Sequence, residues 1–127
     1  QRARERLATN LEARALAILR SARNRAQRKK VPVLLSPEWI ARQLHRGTCA
    51  VTGLPFDFHI NGKSGPLAPT IDRVDSARGY VESNCQIVCW LYNRAKGKDD
   101  HDTVMMLVRS LYDAGENRET KALHGAL

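Results

Sequence analysis

"TIDRVDSARGYVESNCQIVCWLYNRAKG", Thr70 to Gly97, decides how the chain is to be read. TIDRV is rich in residues that favour strands and ends in turn chemistry at Asp75, Ser76 and Gly79. CQIV predicts a second strand, running straight into a helix CWLYNRAK that Gly97 stops. A strand, a turn, a strand and a helix in so few residues cannot bury a core alone. The value of the unit lies in Asp72 at the end of the first strand and Asn93 inside the helix beside it. A carboxylate oxygen and an amide oxygen are hard ligands suited to Mg²⁺, which keeps most of its waters and needs few protein groups.

Outward toward the N-terminus, residues 61–69 read as a loop, punctuated by Gly62, Gly65, Pro66 and Pro69. TCAVTGLPFDFHI reads as a hairpin or knuckle turning at Gly53-Leu54-Pro55. SPEWIARQLHRG carries a full set of helix signals: Ser36 as N-cap, Pro37 in the first turn, Trp39, Ile40 and Leu44 facing inward, Gly47 as stop. Pro32 holds Val31–Leu35 extended. Before it, Leu7, Leu11, Ala15, Ile18 and Ala22 recur at helical intervals in an Arg-rich background, predicting a basic amphipathic helix over the first 28 or so residues. Toward the C-terminus, Asp102 is the expected cap of a helix whose inner face is Val104, Leu107, Val108 and Leu111, ending at Gly115 with a frayed tail beyond.

Charge divides the chain unevenly. Residues 1–30 carry ten Arg and Lys against Glu5 and Glu12, so the whole net charge of +8 sits there, while residues 31–127 balance eleven against eleven. A polyanionic partner is the expected reason, and a membrane surface fits poorly because the basic segment lacks Trp and Phe. Three cysteines without regular pairing do not make a secreted disulfide scaffold. No apolar run approaches the ~20 residues that span a bilayer, and no signal-peptide core is present. A cytoplasmic location, in a bacterial or phage-infected cell, is the expectation.

The pattern C-x-x-T-G-x-P-F over Cys49–Phe56, followed by P-x-I-D-R-x-D-x-x-x-G-Y-x-x-x-N-x-x-x-V-x-W-x-x-N-x-x-K over Pro69–Lys96, resembles the HNH family of endonucleases. The resemblance implies a ββα-metal fold and cleavage of DNA with Mg²⁺ or Mn²⁺. It makes Asp72 and Asn93 the metal ligands, Asn93 standing where many members carry His, and Asn84 the residue that braces the loop. Arg73 departs from the pattern, because the family's proton-accepting His usually follows the first Asp. Arginine is not deprotonated in proteins, and its fork suits a phosphate instead. Three accounts stay open: a metal-activated water needs no protein base, His59 takes the place of the base, or the site binds DNA without cutting it.

Related folds often hold a structural zinc through two C-x-x-C pairs. Here those places read Cys49-Ala-Val-Thr52 and Cys89-Trp-Leu-Tyr92. With two of the four N/S ligands missing, Cys49 and Cys89 are expected as adjacent small core residues without zinc, supported by Phe56, Phe58, Ile71, Ile87, Val88 and Trp90. Arg14, Arg20, Arg23, Arg25, Arg28, Lys29 and Lys30, with Arg94 and Lys96, are the expected grip on the DNA backbone.

The sequence therefore predicts an α+β fold: a small ββα-metal core flanked by an N-terminal basic helix, a second helix and a C-terminal helix. The expected divisions are a basic helical arm at 1–30, a nuclease domain at 31–115 and a tail at 116–127; the oligomeric state stays open, with a homodimer among the options. The rival readings are a catalytically inactive nucleic-acid-binding module of the same fold and a scaffold whose basic helix binds protein.

Overall fold

The computed structural model describes residues 2–58 and 65–125, with side chains described for residues 10–58 and 65–119. In chain order come α1 (Arg2–Lys29), β1 (Val33–Leu34), α2 (Pro37–His45), β2 (Pro69–Arg73), β3 (Tyr80–Val81), a 3-10 turn at Glu82–Asn84, β4 (Cys85–Cys89), α3 (Trp90–Lys96) and α4 (His101–Gly125). The fold is α+β, with four helices and two small two-stranded sheets among the described residues.

β2 and β4 form an antiparallel ladder that pairs Pro69 with Cys89, Ile71 with Ile87, Asp72 with Gln86 and Arg73 with Cys85. Pro69 opens its strand, where a missing N–H does least harm. Ile71, Ile87, Val88 and Cys89 are buried, and their removal from water is the main stabilisation of so short a ladder. α3 begins where β4 ends. Its first free N–H groups find acceptors in the preceding loop, Trp90 donating to the Ala68 carbonyl (2.8 Å) and Leu91 to that of Pro66 (2.9 Å). Asn93 is thereby carried back over β2.

The second sheet pairs β1 and β3 in parallel, Val33 with Tyr80 and Leu34 with Val81. Gly79 makes this approach possible, since a Cβ there would lie 2.7 Å from Pro32 Cγ and 2.9 Å from the Pro32 carbonyl oxygen.

α1 packs along α2 and also meets β1 and β2, while α2 reaches β4. The buried stripe is Leu11, Ala15, Leu19, Ala22 and Ala26. It is turned from the expected one: Ile18 is only half-buried, its neighbour Leu19 takes the deep position, and the Leu7 side chain lies outside the described residues. Leu19 and Ile18 differ by about 100° on a helix, and contact with α2 settles the phase. Alanines on the stripe let α2 come close. α1 ends with Lys30 in the left-handed region (φ 55°) and the Val31 amide donating to the Ala26 carbonyl at 3.1 Å, the Schellman arrangement. α2 starts as expected, with Ser36 Oγ accepting from the Trp39 amide at 3.1 Å and Ile40 and Leu44 buried.

α4 differs from expectation at its start, its face and its end. Asp100 caps it, Oδ1 accepting from the Thr103 amide (2.9 Å) and hydroxyl (2.8 Å), two residues ahead of the expected Asp102. These bonds favour the ionised form and hold the Asp100 carboxyl below its ordinary range despite the small opposing effect of desolvation. Leu107, Val108 and Leu111, expected inside, are exposed, and Val104 alone of that set is buried. The helix runs through Gly115 to Gly125. Contacts group residues 1–95 in one compact unit, which includes α1, and residues 96–127 in another.

Candidate functional site

β2 ends in Asp72 and Arg73, and consecutive strand residues point to opposite faces. Asp72 is 5% exposed, and Gln86, directly across the ladder, donates from Nε2 to Asp72 Oδ2 at 2.9 Å. An ionised carboxylate withdrawn from water needs such donors. From α3, Asn93 donates Nδ2 to the carbonyl of Ile71 at 3.2 Å. That bond anchors the Asn93 amide at the residue next to Asp72 and assigns its Oδ1 the acceptor role. Two hard oxygen donors thus come from adjacent points of β2 and α3, a set whose chemistry fits Mg²⁺ or Mn²⁺.

Asn84 is 1% exposed and ties down the turn that follows β2. Its Nδ2 donates to the carbonyls of Asp75 (3.0 Å) and Gly79 (2.9 Å), and its Oδ1 accepts from the Asp75 amide (3.0 Å). Its own carbonyl accepts from Val74 at 2.8 Å. One buried amide bonds three backbone groups of the turn at once. Arg73 bears on the same turn. Its Nη1 donates to the Arg78 carbonyl at 3.0 Å, and its guanidinium stacks over the Tyr80 ring at 4.7 Å.

Two residues that sequence reasoning passed over border Asp72. Gln86 is one; its signal was the ladder register, which no local pattern reveals. Tyr92 is the other: burial first, then the charge of Asp72 and that of Cys49, raise its phenol above the ordinary range. Beneath Arg73 in the ladder, burial pushes the Cys85 thiol up to about 11, against the opposing pull of the Val81 amide and Arg73. Cys85 therefore stays protonated.

The knuckle lies on the same ladder. Cys49 and Leu54 bond across it (2.8 Å), Gly53 turns it at φ 74°, and the Ala50 amide donates to the Ile87 carbonyl on β4 (3.0 Å). Burial alone would raise the Cys49 thiol. Hydrogen bonds from the Thr52 hydroxyl and amide and from the Cys89 and Val51 amides outweigh it, and the thiol lies below its ordinary range. Positions 49, 52, 89 and 92 are thus gathered at one place, with Cys49 and Cys89 both buried free thiols.

Among the basic residues, Arg20, Arg23, Arg28, Lys29, Lys30 and Arg94 are exposed. Arg14 and Arg25 are half-buried, each with a buried Nε that has no hydrogen-bond partner among the described residues, and Arg14 lies over the Phe58 ring at 5.4 Å. Lys96 is 2% exposed, so of the two cations on α3 only Arg94 offers its charge to solvent. His59 lies outside the described residues.

No family model matches the chain, and no curated protein matches it. A solved structure does: that of the rare-cutting HNH restriction endonuclease PacI, described for its mechanism of DNA perturbation. The match has a TM-score of 0.55 at 17% identity and covers 83% of this chain and 81% of that one. The likeness is one of fold. Among the described residues no group of three or more His, Cys, Asp and Glu is placed to hold a metal, so a cation at Asp72 and Asn93 would draw most of its ligands from water. Among the same residues no helix is long and apolar enough to cross a membrane.

Proposed function

We propose that the chain is a divalent-metal-dependent DNA endonuclease whose site is built on Asp72 and Asn93. The observation that carries this reading is a nearly buried carboxylate, oriented by Gln86, with an amide side chain from α3 tied by its nitrogen to the backbone one residue earlier, all within an HNH-like fold. Mg²⁺ or Mn²⁺ held there supplies charge to polarise the phosphodiester, relief for the leaving oxygen and a more acidic water. The chain's own residues supply position. Asp72 contributes the negative charge, Asn93 a neutral second donor, and Asn84 keeps the turn after β2 in one shape. Arg73, a cation at every working pH, stiffens the same turn through Tyr80 and the Arg78 carbonyl and adds positive potential where the phosphate backbone approaches. The exposed Arg and Lys residues of α1 and Arg94 grip that backbone, and such contacts weaken steeply with salt.

Supercoiled plasmid incubated with Mg²⁺ or Mn²⁺ should be nicked or linearised, and chelator should stop the reaction. One observation favours a second reading, a module that binds nucleic acid without cutting it: the residue after Asp72 cannot accept a proton and is already engaged with Tyr80 and Arg78. Plasmid retarded in a gel but left supercoiled with either metal would select that reading.

A further inference from the structure

We infer that Gln86 is a positioning residue for the metal-binding carboxylate, holding Asp72 Oδ2 so that the charge of Asp72 is presented in one orientation. The inference rests on the endonuclease reading above and deepens it. Asp72 and Gln86 are paired across the β2–β4 ladder, so their side chains rise from the same face, and the Nε2–Oδ2 bond is 2.9 Å long. Directly opposed side chains on an antiparallel pair are the closest cross-strand neighbours, and the register is fixed on either side by Ile71–Ile87 and Arg73–Cys85.

The chemistry of the donor matters as much as its place. Lys or Arg at position 86 would neutralise the carboxylate and compete with a cation for it. A primary amide donates one directed hydrogen bond and leaves the full negative charge in place. Asn93 is anchored in a matching way, its amide nitrogen spent on the Ile71 carbonyl. Each proposed ligand thus has a backbone- or ladder-fixed bond that helps set its rotation. Partners that orient metal ligands in this manner are worth about 10–100-fold in metal affinity.

The test compares Gln86→Met, which keeps length and removes the donor, and Gln86→Asn, one methylene too short to reach, with the parent and with Asp72→Asn. Mn²⁺ binding is read without DNA from the EPR signal of the free ion, and melting temperature is read in chelator. Both Gln86 variants should bind Mn²⁺ about 10–100-fold more weakly, melt close to the parent in chelator, and regain most of their cleavage at saturating Mn²⁺. A role in folding alone would lower the melting temperature and would not respond to metal. Parent-like Mn²⁺ binding in the Gln86 variants, with binding lost in Asp72→Asn, overturns the inference and leaves the endonuclease reading intact. Parent-like binding in Asp72→Asn overturns the metal site itself, and the inference with it. If Gln86→Met fails to fold, Gln86→Asn carries the same comparison.

Discussion

Two constellations share the β2–β4 ladder and treat burial in opposite ways. At Asp72 and Asn93 the surroundings orient polar side chains, the buried carboxylate through Gln86 and the half-buried amide through its nitrogen. At Cys49, Thr52, Cys89 and Tyr92 two buried thiols meet a hydroxyl and a phenol, and backbone amides with the Thr52 hydroxyl bond to the Cys49 sulfur. The Tyr92 phenol lies in the electrostatic reach of both. The difference shows what each place asks of its neighbours. A buried charge is kept only where donors orient it, because leaving it unpaired is costly. A buried thiol is nearly a small apolar residue and can sit in a core without a charged partner.

The largest effect should come from removing what both constellations lean on. α1 lies on α2 and β2, and five of its residues are buried among those whose side chains are described, although composition alone marks it as a basic arm. A chain lacking residues 1–28 should show no cooperative thermal transition by circular dichroism, and Leu19→Ala by itself should cost about 2–5 kcal/mol. A truncated chain that melts cooperatively would mean the ladder and its two constellations stand without α1.

The comparison itself breaks if the cysteine place can be restored. Thr52→Cys with Tyr92→Cys would set four thiols at positions 49, 52, 89 and 92. Elemental analysis should then find one zinc per chain. The metal should stabilise the variant by about 4 kcal/mol at roughly a thousandfold excess over Kd. Failure to take up zinc would show that the four positions do not converge closely enough to form such a site.

A smaller effect lies beside Asp72. Burial keeps the Cys85 thiol protonated in the fold to about 11 against an ordinary 9.0. The folded state therefore holds its proton where the unfolded chain has released it, so stability is full below about pH 9 and falls as pH rises toward 11. Urea titrations across that range should show the decline, and Cys85→Val should flatten it.

Much of this was legible in the sequence for a physical reason: local rules operate within a few residues. The strand–turn–strand–helix order, the Ser36 cap and the Gly47 stop each follow from short-range chemistry, and the structure has them within a residue or so. Gln86 was not legible, because its role exists only once the register opposite Asp72 is set. Nor was the α4 cap, since Asp99, Asp100 and Asp102 all qualify by type and only the turn geometry selects Asp100. Gly115 reads as a stop, yet a helix tolerates one glycine at about 1 kcal/mol. The spacing of Leu107, Val108 and Leu111 marks a face of a helix; it does not say that anything covers that face.

The central claim is that Asp72 is where the metal meets the reaction. The direct measurement is the rate of plasmid cleavage by Asp72→Asn, at Mg²⁺ and Mn²⁺ concentrations that saturate the parent, beside its melting temperature in chelator. Losing a metal's contribution of several kcal/mol should slow cleavage by about 10³-fold or more while the metal-free melting temperature stays near the parent's. Cleavage within a few-fold of the parent by a folded Asp72→Asn protein would contradict the account.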